Sequence, residues 1–254
     1  MITLISPAKS LDFDTPCEHG FTLPRFKKQP QELVEVLRTK SESDIQGLMD
    51  LSESLAVLNV ERYHAFKKRH NLKNSKQAMF AFNGTVYQGL EPEKLTSEEV
   101  IYAQDYLRIL SGMYGLLRPL DLIQAHRLEM GTRLGFDDYK TLYDFWGDQI
   151  TQRINNDLRG HENKTIVNLA SQEYFKSVNR KLIKGQIVDI EFKDLKNDEF
   201  KVLSFFAKKA RGLMVQYIIK NQIEKLEDLK QFDIEGYQFD DLDSASDRML
   251  FKRA

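Results

Sequence analysis

The sequence LRILSGMYGLLRPLDLIQAHRLEMG, residues 107–131, indicates a folded corner around which the rest of the chain can be organised. It begins with a short apolar run, turns at glycines that include Gly115, and carries arginine as its only cation, at Arg108, Arg118 and Arg127. The planar guanidinium group suits fixed acceptors such as phosphate or carboxylate better than a lysine ammonium does. The stretch therefore predicts either arginines that face a ligand or a strand–turn–helix corner whose arginines tie the framework together.

Length and composition indicate one globular domain, residues 1–254. Apolar residues make up 41% and charged residues 30% of the 254 residues, and the net charge is −1. This balance excludes a globally basic nucleic-acid binder but not a local basic cleft, because binding follows the local field. No apolar run approaches the roughly 20 residues of a membrane span, so we expect no membrane association. The single cysteine, Cys17, and the absence of a signal-peptide pattern predict a cytoplasmic protein.

Periodicity predicts a mixture of strands and helices. Helical spacing begins after Pro30, and Ser41 followed by Asp44 is typical of a capped helix start. Strands are predicted at Met1–Ile5, Ala78–Phe82, Thr165–Leu169, Gln186–Phe192 and Lys201–Phe206, with a turn at Asn197–Asp198 and two closing strands between Gly236 and Arg253.

Polar residues follow two of these strands, at Ser6–Lys9 and at Asn168–Ser171. Ligands in open α/β sheets collect at the carboxyl ends of strands, and Pro7 would stiffen the first turn. The two segments predict an anion site, and a surface turn with a solvated lysine is the alternative. Ser171 is also placed to cap the helix that follows.

The segment FFAKKARGLM, residues 205–214, predicts a helix with an apolar face after Phe206. Lys208, Lys209 and Arg211 would then crowd its first turn, where cations oppose the helix dipole by about 0.3–1 kcal/mol each. A bound anion would reverse that sign. The pattern therefore predicts an anion there, or acids from elsewhere in the fold.

Two short helices near residues 44–66 would form a helical hairpin, which could be ordinary or could present backbone amides to a nucleic acid in the manner of a helix-hairpin-helix element. Its turn lacks the usual glycines. The basic run that ends at His70 is interpreted as a solvated helix end.

Recognisable catalytic and metal-binding patterns are missing from the sequence. The histidines are scattered without metal-ligand spacing, and there is no GxSxG, P-loop or GxGxxG motif. We therefore predict no metal and no cofactor, and no residue set identifies a reaction. His126 is interpreted as a structural residue rather than a general base.

The chain resembles the YaaA family, also called UPF0246 or DUF328, whose members are described as peroxide-stress resistance proteins. The resemblance extends over the whole chain and rests on ISPAK (5–9), LRILSGMYGLLRPLD (107–121), HRLEMG (126–131), FWGDQI (145–150), NLAS-EY (168–174) and FFAKKARGLM (205–214). It implies a single α+β domain with a mixed sheet, a helix-hairpin-helix-like element at about 44–66 and a positively charged cleft. It also implies binding of double-stranded DNA and a role in limiting iron-driven oxidative damage.

Three hypotheses follow for the function. The first is a stress protein whose phosphate-binding cations contact double-stranded DNA; these are Lys9, Arg118, Arg127, Lys208, Lys209 and Arg211. The second is an enzyme acting on a nucleotide or other phosphorylated molecule, for which one pocket should hold Ser6, Lys9, Arg118, Asn168 and Lys209, with Ser111 and Ser171 as further candidates. Direct iron sequestration has little support, because no His, Cys or acid cluster offers a ligand set.

Overall fold

The structure, a computed structural model, describes residues 1–254 and contains twelve strands. They are β1 (Ile2–Ile5), β2 (Ser10–Leu11), β3 (Lys76–Gln77), β4 (Phe82–Asn83), β5 (Leu107–Ser111), β6 (Gly115–Leu117), β7 (Leu122–Ile123), β8 (Thr165–Asn168), β9 (Gln186–Lys196), β10 (Glu199–Lys201), β11 (Gln238–Ala245) and β12 (Arg248–Arg253).

Eleven α-helices and three short 3-10 segments join the strands. The helices are α1 (Gln29–Arg38), α2 (Glu42–Met49), α3 (Glu53–Ala65), α4 (Ala78–Ala81), α5 (Thr85–Leu90), α6 (Ser97–Tyr106), α7 (Leu142–Trp146), α8 (Gln149–Leu158), α9 (Gln172–Phe175), α10 (Ser204–Lys220) and α11 (Leu226–Leu229).

Eight strands form one mixed sheet in the order β11-β12-β9-β8-β1-β5-β6, with β10 paired to β9. The pairs β12–β9, β9–β8, β8–β1 and β1–β5 are parallel, and β6, β10 and β11 add antiparallel partners. Strand β1 is buried along its whole length, which is expected for a central parallel strand. The protein is therefore α+β with a mixed sheet, as the resemblance implies.

The 107–131 stretch forms the hairpin β5–β6 at one edge of this sheet. Gly115 has a φ of 67°, and a β-carbon there would lie 2.6 Å from the Trp146 ring. The indole Nε1 of Trp146 donates a hydrogen bond to the Gly112 carbonyl at 2.9 Å. The glycines of this stretch therefore let a buried tryptophan pack against the backbone of the turn.

Each arginine of the stretch pairs with a carboxylate. Arg108 is 6% exposed, and its Nε lies 2.6 Å from Asp157. Arg118 pairs with Asp121 at 2.8 Å. The framework interpretation of this stretch therefore describes Arg108 and Arg118, because their guanidinium groups join segments of the fold.

Two predicted strands are wrong. The segment predicted as a strand at Ala78–Phe82 is helix α4 up to Ala81, because the Ala78 amide bonds to the Asp121 carbonyl at 2.9 Å and closes this turn against a neighbouring segment. The strand predicted at Lys201–Phe206 ends at Lys201, and α10 already begins at Ser204. Lys208 is therefore the fifth residue of α10, and the argument from cations in the first turn does not hold.

The predicted helical pair near 44–66 corresponds in position to α2 and α3, which are separated by Asp50, Leu51 and Ser52. The predicted cap at Ser41 is confirmed, because Ser41 and Asp44 form a reciprocal capping box. A helix-hairpin-helix role for the pair stays a prediction.

Candidate functional site

The loops after β1 and β8 meet at one end of the sheet, because these two strands are parallel neighbours. Ser6 follows β1 and Ser171 lies three residues after β8; the Ser171 amide donates to Ser6 Oγ at 2.9 Å. Between these loops and α10 lies a cavity of about 340 Å³, here called the strand-end pocket. Polar strand ends therefore meet at a pocket, as parallel topology requires.

Helix α10 covers this pocket because it crosses α5 at unusually close range. A β-carbon on Gly212 would overlap the carbonyl oxygen of Val86, so only glycine permits this approach. The crossing brings Lys208 and Arg211 of α10 to the wall of the strand-end pocket.

Arg211 is the most distinctive group of the strand-end pocket. It is partly buried, and no ion pair or side-chain hydrogen bond joins it to another residue. Burial lowers the pKa of its guanidinium group, and the charge of Glu191 partly offsets that effect. Lys208 is exposed and is also free of an ion pair. A partly desolvated cation beside a pocket favours an anion as its partner.

Two further predicted cations share one carboxylate beside this pocket. Lys9 lines the pocket and lies 3.1 Å from Glu129. Arg127 lies 3.0 Å from the same carboxylate. The adjoining cavity that holds both has a volume of about 10 Å³, which is the space of about one water molecule. Glu129 therefore neutralises much of the charge that Lys9 and Arg127 bring.

The remaining predicted cations lie elsewhere. Arg118 pairs with Asp121, and Lys209 pairs with Glu235. Neither lines the strand-end pocket. The single pocket predicted to contain Ser6, Lys9, Arg118, Asn168 and Lys209 is therefore formed only in part, by Ser6 and Lys9.

Ser111 and Asn168 have structural partners. Ser111 is 1% exposed, and its Oγ accepts the Tyr114 amide in the β5–β6 turn at 3.0 Å. Asn168 is 8% exposed; it donates to Asp189 at 2.7 Å and accepts the Ala170 amide at 3.0 Å. These bonds hold the turn of the hairpin and the loop after β8 in place.

His126 is buried, and its Nδ1 donates a hydrogen bond to the Gln124 carbonyl, 2.8 Å away. Burial lowers its pKa to about 4. The ring packs edge-on against Tyr114 at 5.2 Å between centroids. The structural interpretation of this histidine therefore fits its surroundings.

A second basic surface shares no lining residue with the strand-end pocket. It is a groove of about 570 Å³, here called the basic groove, lined by Lys27, Lys28, Lys68, Arg69 and His70 together with Leu23, Pro24, Phe26, Pro30 and Gln31. None of these ten residues is acidic. Its four Lys and Arg side chains are exposed and form no ion pairs.

The first turn of helix α1 opens into the basic groove. Lys28 is its N-cap residue, and no side chain caps the helix. The helices α2, α6 and α7, by contrast, all begin with capping boxes. The positive end of the helix dipole therefore lies beside the groove, although Glu32 in the same turn offsets part of its charge.

The turn between α2 and α3 has the opposite charge. Asp50 and Glu53 are exposed in it, and Asp44 caps the preceding helix. Carboxylates at this position would repel a phosphate backbone. The charge of the turn therefore disfavours a phosphate contact there.

The sequence contained only a partial signal for the basic groove. The doublet Lys27–Lys28 and the run that ends at His70 are both basic, but about 40 residues separate them. By itself, the run that ends at His70 is typical of a solvated helix end. Only the tertiary structure brings the two segments together.

Not one of the helices combines the length and the apolar character needed to cross a bilayer.

Comparison with known proteins identifies the family. The profile of a family described as "Peroxide stress protein YaaA" matches residues 1–242. A UPF0246 protein of Alteromonas mediterranea is 49% identical, over 100% of this chain and 98% of the relative. UPF0246 proteins of Shewanella loihica and Bordetella petrii are 48% and 49% identical, over 100% of this chain and 98% and 99% of their own lengths. The chain therefore belongs to the peroxide stress protein YaaA family.

Proposed function

We propose that this member of the peroxide-stress family binds double-stranded DNA through the basic groove. The observation that carries the proposal is the lining of the groove: four unpaired cations, Lys27, Lys28, Lys68 and Arg69, without one acidic residue among them. Most of the cations predicted from the sequence are neutralised by carboxylates, whereas these four are not.

The physical basis is the exchange of counterions. Each phosphate that a lysine or arginine neutralises releases condensed cations from the duplex, so affinity falls with salt at a slope of about −0.9 per contact. Four contacts predict a slope of about −3.6 in a plot of log affinity against log salt. Backbone contacts of this kind are independent of base sequence.

The same exchange connects DNA binding to peroxide stress. Iron ions are cations that associate with phosphate, and bound iron reacts with peroxide close to the DNA. A protein that neutralises phosphates displaces cations from the duplex. We propose that occupancy of DNA by this protein thereby limits iron-driven oxidative damage, in a cytoplasmic location that the single cysteine favours.

The test is binding of a short labelled duplex over a range of salt concentrations. We expect the double variants Lys27→Ala/Lys28→Ala and Lys68→Ala/Arg69→Ala each to lower the magnitude of the salt slope by about 1.8. The matched control is Lys220→Ala/Lys225→Ala, which removes the same charge from exposed positions outside the groove. A flat salt response of the natural sequence, or equal losses in the control, would refute the proposal.

The link to iron is tested by strand breakage. Supercoiled DNA is exposed to ferrous iron and peroxide with the natural sequence or with the Lys68→Ala/Arg69→Ala variant. We expect the natural sequence to slow nicking and the variant to protect less. Equal protection by both proteins would show that any effect on iron does not depend on the basic groove.

A further inference from the structure

We propose that the strand-end pocket is a second, separate binding site, which takes the phosphate group of a small phosphomonoester the size of a mononucleotide. Arg211 and Lys208 would contact the phosphate oxygens. The proposal does not depend on DNA binding in the basic groove, because the two surfaces share no lining residue.

Arg211 is the first reason. A guanidinium group that is partly withdrawn from water loses hydrogen bonds to water. In a folded protein, hydrogen bonds to a carboxylate or to several carbonyl groups normally replace them. Arg108 shows the usual arrangement in this protein, since its side chain bonds to Asp157 and to the carbonyls of Gln104 and Leu107. Arg211 has no such bond and lines a cavity instead. An anionic ligand with paired oxygens would complete its coordination.

The serine hydroxyls are the second reason. Ser6 Oγ accepts the Ser171 amide and donates its own hydrogen to Ser171 Oγ at 3.3 Å. Ser171 occupies the N-cap position of α9, yet its hydroxyl does not cap the helix. The Ser171 hydroxyl accepts the hydrogen bond from Ser6 and donates none within the protein, so its own hydrogen is available to a phosphate oxygen.

The size and walls of the pocket select the class of ligand. Its volume of about 340 Å³ lies at the lower end of the roughly 300–1,000 Å³ of small-molecule sites. Backbone contact between α5 and α10 at Gly89 and Gly212 holds α10 beside the pocket. A duplex is too large for such a space, whereas a mononucleotide is comparable to it.

The remainder of the pocket suits the rest of such a molecule. Val86 and Leu169 offer apolar contact to a sugar or base. Glu173 also lines the pocket, and its Oε1 accepts the Gly131 amide at 2.9 Å. A carboxylate here disfavours a second phosphate and accepts hydrogen bonds from hydroxyl or amino groups. The lining therefore favours one phosphate on a polar, uncharged body.

The experiment is titration calorimetry with AMP, UMP and ribose 5-phosphate, with adenosine as the ligand that lacks the phosphate. We expect at least one of the three phosphomonoesters to bind and adenosine to bind at least about tenfold more weakly than AMP. Inorganic phosphate should compete with the bound phosphomonoester. Failure of all three phosphomonoesters to bind, or equal binding of adenosine and AMP, overturns the proposal.

Variants locate the site. Arg211→Gln should weaken binding by at least about tenfold and Lys208→Ala by several-fold, while Lys220→Ala at the far end of the same helix should leave it unchanged. If Arg211→Gln does not fold, Lys208→Ala decides the matter, since Lys208 is exposed. Unchanged affinity in Lys208→Ala overturns the assignment.

The Lys68→Ala/Arg69→Ala variant separates the two proposals. It should bind the phosphomonoester normally while losing duplex affinity. A protein that binds duplex but none of the phosphomonoesters refutes only the strand-end pocket, and the reverse result refutes only the basic groove.

Discussion

Gly89 of α5 and Gly212 of α10 meet where the two helices cross: a β-carbon on Gly89 would lie 3.1 Å from the Cα of Gly212. This contact sets the position of α10 relative to the sheet. It therefore sets the position of Arg211, one residue before Gly212, at the strand-end pocket.

Gly212→Ala should destabilise the protein. Its methyl group would overlap the Val86 carbonyl, so the helices must separate, at a cost of about 1–3 kcal/mol in the free energy of unfolding. Urea unfolding measures the change. Gly47→Ala is the control: Gly47 lies at an exposed position of α2 with no atom within 4 Å of the new methyl, and the substitution should stabilise by about 0.5–1 kcal/mol. Equal effects of the two substitutions would contradict the close crossing.

Asp157→Asn should be strongly destabilising at neutral pH. Asp157 lies 2.5 Å from Arg25 and 2.6 Å from Arg108, and all three side chains are largely buried. Removing the carboxylate leaves two cations without a charged partner, and breaking a buried pair costs about 3–5 kcal/mol. The free energy of unfolding in urea at pH 7 tests this. A loss of unfolding free energy smaller than that of an ordinary surface substitution would show that this ion pair contributes little to stability.

The Asp157 contribution should depend on pH. Desolvation alone would raise the pKa of this carboxyl, but the hydrogen bond from Arg25 and the charge of Arg108 lower it below the ordinary 3.8. A lowered folded-state pKa means that the stabilisation is present above 3.8 and is lost as pH falls below it. The difference in unfolding free energy between the natural sequence and Asp157→Asn should therefore shrink in acid. A difference that stays constant down to acid pH would contradict this account.

His126 should make stability fall on mild acidification. Burial lowers its pKa from 6.5 to about 4, so between these values the unfolded state binds the proton and the folded state does not. Stability is then greatest above 6.5 and decreases as pH falls toward 4. His126→Phe removes this titration, so its unfolding free energy should change less between pH 7.5 and pH 5. Parallel pH profiles for the two proteins would exclude His126 as the cause.

Gly115→Ala should disturb the only tryptophan. The new methyl would lie 2.6 Å from Trp146, at a backbone φ of 67° that disfavours side chains. We expect a loss of at least about 2 kcal/mol in unfolding free energy and a red-shifted Trp146 emission. Gly20→Ala, with no atom within 4 Å of its methyl, should change neither. An unshifted emission in Gly115→Ala would contradict the packing.

Local chemistry predicted several features well. The strands β1, β8 and β12 follow from short runs of apolar and β-favouring residues, and the Ser41 cap follows from one serine and one aspartate at the right spacing. These features depend on residues only a few positions apart, so the local sequence is enough to predict them.

The errors lie where distant segments decide. The segment Ala78–Ala81 becomes helical because its amides reach carbonyls about 40 residues further along the chain. The turn predicted at Asn197–Asp198 is confirmed, but α10 begins earlier than predicted: the Ala207 amide already bonds to the Leu203 carbonyl at 2.8 Å, and β10 ends at Lys201. Secondary-structure propensity, which reflects local residue types, does not predict either feature.

By itself, the sequence determined the family, the α+β class and the polar strand ends, since these depend on long ordered motifs and on local patterns. The tertiary structure decided which cations are free. Lys9, Arg118, Arg127 and Lys209 meet carboxylates, whereas Arg211 and the cations of the basic groove do not. Whether a charge is neutralised depends on distances of a few ångströms between residues far apart in the chain, and only the folded chain sets those distances.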